Sequence, residues 1–207
     1  MTGAAKKPFS MIRTFVLADL ITLGNAAFGM SAILACMSHL AEGRSSDVWI
    51  ALGCLPLALA CDVLDGSVAR WRRRQSPLGA DLDSLADVVS FGVAPAVLGF
   101  TLGLRGGWDA LALTYFVACG ISRLARFNAT ADSLADESGK VKYYEGTPIP
   151  TSLALVLTLG IAFSKGRVGD ALWFGEVQVG PWEWHPLVTM YIASGSAMIS
   201  TLRIPKP

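Results

Sequence analysis

Six stretches of this chain are long and apolar enough to be read as membrane-crossing helices: residues 20–40, 48–68, 86–104, 110–126, 150–164 and 186–202. A spanning helix needs about 20 mostly apolar residues, and the fifth stretch is short by that measure. Backbone polar groups inside hydrocarbon must be satisfied within the protein, which makes each stretch a helix. Only 16% of the residues are charged, against roughly 25% in a soluble domain. The expected fold is all-α and integral to the membrane: a single domain over residues 1–207, built as a six-transmembrane-helix bundle. Residues 9–19 are expected to add a short N-terminal interfacial helix. Pro56 and Pro95 fall inside helices and are expected to kink them, which a bundle tolerates.

Charge placement orients the bundle. With six spans and a cytoplasmic N-terminus, 13 of the 17 Lys and Arg residues fall on the cytoplasmic side. The four on the other side are Arg44, Arg105, Lys165 and Arg167. That asymmetry follows the positive-inside rule and puts both termini in the cytoplasm. A formal net charge of +1 gives no global basic field for nucleic acid, and the sequence has no zinc-ligand spacing. Cys36, Cys54, Cys61 and Cys119 each sit in an apolar run and read as packing residues. Asp19 and Asn25 interrupt the region before a loose lipoprotein-like box at residues 33–36, so that region reads as a span rather than a cleaved signal. His39 and His185 fall at extracytoplasmic helix ends, away from any chemistry.

The polar residues are concentrated. Asp62, Asp65, Gly66, Ala69 and Arg70 stand at i, i+3, i+4, i+7 and i+8, which is one stripe of a helix. Gly79, Asp83 and Asp87 follow at successive i+4 steps, again on one face. Carboxylates at the ends of two adjacent apolar helices repel one another and are costly to desolvate. One or two divalent cations held by oxygen ligands would compensate them, and such cations recruit phosphate. The small residues leave room for a bulky ligand. An inert acidic-basic network at the membrane surface has the same geometry. A cation transporter would use four carboxylates too, but transport sites lie near the bilayer midplane, whereas these cluster toward one face beside basic residues.

The stretch reads Asp62-X2-Asp65-Gly66-X2-Ala69-Arg70-X8-Gly79-X3-Asp83-X3-Asp87, and at every fixed position it resembles the signature of the CDP-alcohol phosphotransferase family. The resemblance implies a homodimeric six-helix membrane enzyme with its site at the cytoplasmic end of the bundle. It implies that Asp62, Asp65, Asp83 and Asp87 hold two divalent cations, Mg2+ or Mn2+. It also implies that Gly66, Ala69 and Arg70 contact the CDP moiety with Gly79 beside it, and that Asp87 doubles as general base.

Four further stretches bear on the acceptor alcohol: residues 19–25, 90–96, 123–128 and 142–150. Together they look like the phosphatidylserine synthase branch of that family, up to about Leu157. The expected partners are then CDP-diacylglycerol, L-serine and membrane lipids. A zwitterion needs a guanidinium for its carboxylate, which Arg126 and Arg123 offer, and an acceptor for its ammonium, for which Asn128 and Glu145 are the candidates. Asn25, inside an apolar helix, reads as a bond to a neighbouring helix. Glycerol 3-phosphate or an inositol phosphate is the alternative acceptor. Thr147 looks more like fungal members of the branch, but their long N-terminal extension has no counterpart here. The expected location is a bacterial plasma membrane, with the endoplasmic reticulum second.

Overall fold

The computed structural model describes residues 16–72, 78–134, 143–201 and 203–205, and the side chains of 69–72, 131–134, 143–145 and 203–205 lie outside that description. The chain forms α1 (Leu17–Glu42), α2 (Ser45–Arg72), α3 (Gly79–Asp87), a π-helical segment (Val88–Val93), α4 (Ala94–Leu102) and α5 (Gly107–Leu134). Strand β1 (Tyr143–Glu145), α6 (Leu153–Ser164), β2 (Val177–Val179), β3 (Trp182–Trp184), α7 (Thr189–Met198) and β4 (Arg203–Pro205) follow. Among the described residues, four helices are long and apolar enough to cross a membrane: Leu17–Glu42, Ser45–Val68, Gly79–Leu102 and Gly107–Thr130. The fifth expected span is the shorter apolar helix Ile149–Ser164. The sixth is a 3-10 turn at Pro186–Val188 leading into α7, which stops at Met198 rather than 202. Most of the expected interfacial helix at 9–19 lies outside the described residues.

The burial of α1 inverts that of a soluble helix. Its inner face is Asp19, Thr22, Asn25, Gly29, Ala32 and Cys36, spaced by three and four so that they form one stripe. Leu17, Leu20, Leu23, Met30, Leu34, Met37 and Leu40 are exposed. Large apolar side chains cost nothing against lipid, and small or polar residues let helices approach and bond. The same logic shapes α2, whose Val48, Ala51, Leu55, Ala58 and Asp65 face inward while Trp49, Ile50, Leu57, Val63 and Leu64 face out. Helices α1 and α2 form the most extensive helix pair.

The third long helix runs through the middle. It begins at Gly79, earlier than the expected 86, because Asp81 in its first turn suits the positive end of the helix dipole. The expected kink at Pro95 takes the form of the π-helical turn just before it. Proline has no N–H to give the preceding turn and clashes with the carbonyl four residues back, and a π turn absorbs that mismatch. Ser90, Phe91 and Gly92 of this turn are all buried. Tyr191 of α7 donates its hydroxyl to the Pro95 carbonyl at 2.6 Å and meets Phe116 of α5 edge-on at 5.2 Å.

Two small sheets close the ends. At one end β2 and β3 form a hairpin, and Trp108 at the start of α5 donates to the Val179 carbonyl at 2.8 Å. Asp109, fully buried, receives the Gly106 N–H at 2.9 Å, the His185 N–H at 2.9 Å and His185 Nδ1 at 2.6 Å. His185 thus ties the hairpin to α5. At the opposite end β1 pairs antiparallel with β4, Glu145 opposite Arg203. Alternating Val-Gln-Val and Trp-Glu-Trp around Gly-Pro is a hairpin pattern, obscured by the apolar stretches around it.

Candidate active site

Helix α2 ends, and α3 and the inner face of α1 begin, at the end of the bundle that carries β1 and β4. One carboxylate oxygen each from Asp62, Asp83 and Asp87 lies within 4.8 Å of the others. Asp87 is buried, and Asp62 and Asp83 are half-buried. Asp83 Oδ1 is buried with no hydrogen-bond partner among the described residues. Converging carboxylate oxygens, with an orphaned oxygen on one of the same residues, are a donor set that fits a hard divalent cation. Asp65 stands apart from this trio: it is buried and accepts the Thr22 hydroxyl at 2.6 Å. The fourth carboxylate of the motif is therefore braced by α1.

Helix α1 reaches the site a second time through Asn25, whose Nδ2 donates to Asp87 Oδ1 at 3.2 Å. The Asn25 carbonyl accepts the Ser90 hydroxyl at 2.9 Å. A Cβ at Gly29, one turn further on, would collide with the Ser90 hydroxyl and lie 2.8 Å from Ser90 Cα. The α1 crossing is thus as close as a backbone allows, and it presses Asn25 against Asp87. The expectation that Asn25 bonds a neighbouring helix holds, and its partner is the motif's last carboxylate. Thr22, Ser84 and Ser90 were not foreseen as neighbours of the motif. The signal for Thr22 was its place three residues before Asn25 on an otherwise apolar helix.

The residues expected around CDP flank the trio. A Cβ at Gly66 would meet nothing within 4 Å among the described residues, so no described packing demands the glycine. Gly79 starts α3, and Ala69 and Arg70 lie in the last turns of α2, the latter two with side chains outside the described residues.

Of the residues expected around the acceptor, Arg126, Arg123 and Asn128 have described side chains. Arg126 is half-buried, and its Nη2 is buried with no hydrogen-bond partner among the described residues. Arg123 is buried, its guanidinium 5.8 Å from the Phe127 ring centroid. Asn128 is engaged with Ser84 of α3, its Nδ2 donating to Ser84 Oγ at 3.0 Å. That contact joins the end of α5 to the residue next to Asp83. Glu145 lies in β1, its side chain outside the described residues. Thr147 Oγ1 and Ser152 Oγ, just after β1, are also buried without partners among the described residues.

The sequence model of the family described as CDP-alcohol phosphatidyltransferase matches residues 15–194. The chain is similar to the CDP-diacylglycerol–serine O-phosphatidyltransferase of Saccharomyces cerevisiae, 44% identical over 205 residues, covering 96% of this chain and 74% of that protein. It is 31% identical over 161 residues to the Mycobacterium tuberculosis protein of the same name, covering 76% of this chain and 52% of the relative. A third of that name, from Bacillus subtilis, is 32% identical over 148 residues, covering 70% and 75%. The chain thus spans about three quarters of the yeast relative's length and about half of the mycobacterial one's.

Proposed function

The chain belongs to the CDP-alcohol phosphatidyltransferase family, and from that premise we propose that it transfers the phosphatidyl group of CDP-diacylglycerol to the hydroxyl of L-serine, releasing CMP. The observation that carries the chemistry is the approach of Asp62, Asp83 and Asp87 to within 4.8 Å. The names of the yeast and bacterial relatives support serine as acceptor.

In this reading Asp62, Asp65, Asp83 and Asp87 would hold two divalent cations, Mg2+ or Mn2+. When bound, such cations neutralise the pyrophosphate and the departing CMP. Gly66, Ala69, Arg70 and Gly79 seat the CDP head while the acyl tails stay in the bilayer. Asp87 takes the proton of the serine hydroxyl as that oxygen bonds the β-phosphorus and the bond from that phosphorus to the CMP oxygen breaks. A carboxylate is a weak base for an alcohol, so it acts as the proton is released in the transition state. Most of the acceleration comes from positioning and charge stabilisation. Arg126, with Arg123 behind it, grips the serine carboxylate as a guanidinium grips any carboxylate. The Nη2 of Arg126, without a partner among the described residues, supports this role.

Six spans are proposed, with α6 and α7 completing the bundle beside the four long helices, and with the chain acting as a homodimer. The asymmetry of Lys and Arg supports a site that opens to the cytoplasm with both termini on that side. The proposed host membrane is a bacterial plasma membrane, with the endoplasmic reticulum second, and relatives from both bacteria and yeast are compatible with either.

The test gives purified protein CDP-diacylglycerol with equal serine, glycerol 3-phosphate and inositol 1-phosphate, with and without excess chelator. Phosphatidylserine should dominate and chelator should abolish it. Dominance of another product would overturn the acceptor while sparing the chemistry, and full turnover in chelator would overturn the cations.

A further inference from the structure

Asn25 presents an unused acceptor beside the proposed base. It is fully buried, and its Nδ2 donates to Asp87. An ionised carboxylate can only accept, so the amide cannot be flipped: nitrogen faces Asp87 and Oδ1 is left for another donor. That Oδ1 has no hydrogen-bond partner among the described residues. The side chain has no easy retreat, because the Ser90 hydroxyl holds the Asn25 carbonyl and Gly29 lies against Ser90. A buried acceptor left unpaired is costly, and here it is fixed next to the reacting centre.

We propose that Asn25 Oδ1 receives the ammonium group of the acceptor, making Asn25 a specificity-determining residue for a 2-amino alcohol. The proposal rests on the serine reading above and deepens it. The hydroxyl of such an acceptor must reach Asp87, and its ammonium sits on the neighbouring carbon. One amide spans the same two points, with Nδ2 on Asp87 and Oδ1 beside it. A neutral carbonyl suits this place, since another carboxylate would repel Asp87 and compete for the cations. Asn128, the other amide considered for the ammonium, is exposed at the end of α5 and meets Ser84, whereas Asn25 Oδ1 is buried beside Asp87. Arg126 would take the carboxylate from the α5 side, so the zwitterion is read from two directions. A phosphorylated polyol has no cation to offer Oδ1.

The test compares Asn25→Leu, which nearly keeps the shape, and Asn25→Ala with wild type on two acceptors. One is L-serine and the other is 3-hydroxypropanoate, which is serine without its amino group. Losing the donor to Asp87 lowers both acceptors by a common factor, so the readout is the ratio of their kcat/KM values. That ratio should fall by about tenfold to a hundredfold, mostly through the serine KM, as expected for a hydrogen bond to a charged group. If 3-hydroxypropanoate is not turned over, its inhibition constant against serine replaces its kcat/KM. An unchanged ratio with both acceptors lowered together makes Asn25 a positioning residue for Asp87 only and overturns the proposal. So does an unchanged ratio with a higher Mg2+ requirement, which makes Oδ1 a metal ligand. Should the variants not fold, wild type decides: N-acetylserine must bind at least about tenfold more weakly than serine, and equal binding overturns the proposal. A wild-type reaction that yields no phosphatidylserine sinks the serine reading itself, before any variant is made.

Discussion

Asp87 has the most crowded role of any residue here. It belongs to the oxygen trio, it accepts from Asn25, and it is buried. Asp87→Asn keeps the shape and removes the proton acceptor, so kcat should fall by about 10²–10⁴ while CDP-diacylglycerol still binds. Steady-state kinetics on detergent-purified variant checks this; retention of more than about a tenth of wild-type kcat is incompatible with a general base. Arg126 makes a different prediction, because its Nη2, without a partner among the described residues, is proposed to serve the acceptor and not the donor. Arg126→Ala should raise the serine KM by about tenfold or more, the worth of a charge-assisted bond, with little change in the CDP-diacylglycerol KM. Equal effects on both substrates would move Arg126 out of the serine pocket. The convergence of the carboxylates was legible from their spacing along α2 and α3. Thr22 against Asp65 and Ser84 against Asn128 were not, since a single hydroxyl in an apolar helix carries no label for its partner across the fold.

At the scale of elements, the site depends on how closely α1 crosses the π-helical turn. That turn widens the helix just after Asp87 and buries Ser90, which holds the Asn25 carbonyl. Gly29 is the contact that permits it, and the obstacle a Cβ would meet includes Ser90 backbone, which no rotamer change relieves. Gly29→Ala should therefore push α1 outward and cost about 1–3 kcal/mol, as overpacking does. Thermal unfolding in detergent measures the stability, and kcat should drop as Asn25 leaves Asp87. A variant with wild-type melting temperature and wild-type kcat would show that the crossing is loose. Pro95 announced an irregularity in the sequence. Only the fold turned it into a π turn that faces α1, because the neighbouring helix decides where an unsatisfied turn can relax.

For the whole molecule, polarity is the organising fact. The carboxylates, Arg126, β1 and β4 gather at one end, while the Asp109–His185 tie and the β2–β3 hairpin seal the other. Helix α2 ends and α3 begins at the site end, so a cysteine introduced between them in sequence by Ser76→Cys reports which side that end faces. An impermeant thiol reagent should label it in inverted vesicles and not in intact cells, with background subtracted using a variant that lacks the four native cysteines. Labelling from outside intact cells would reverse the orientation derived from the basic residues.

The sequence by itself determined the membrane-spanning character, the positions of the long helices and the residues of the carboxylate motif. These follow from local quantities: apolar length, charge distribution, and spacing along one chain segment. It did not determine that Asp65 accepts the Thr22 hydroxyl, that α1 supplies Asn25 to Asp87, or that Asn128 meets Ser84. Each of these pairs residues from different helices. Their distance is set by how closely small residues let those helices approach, which no single helix encodes.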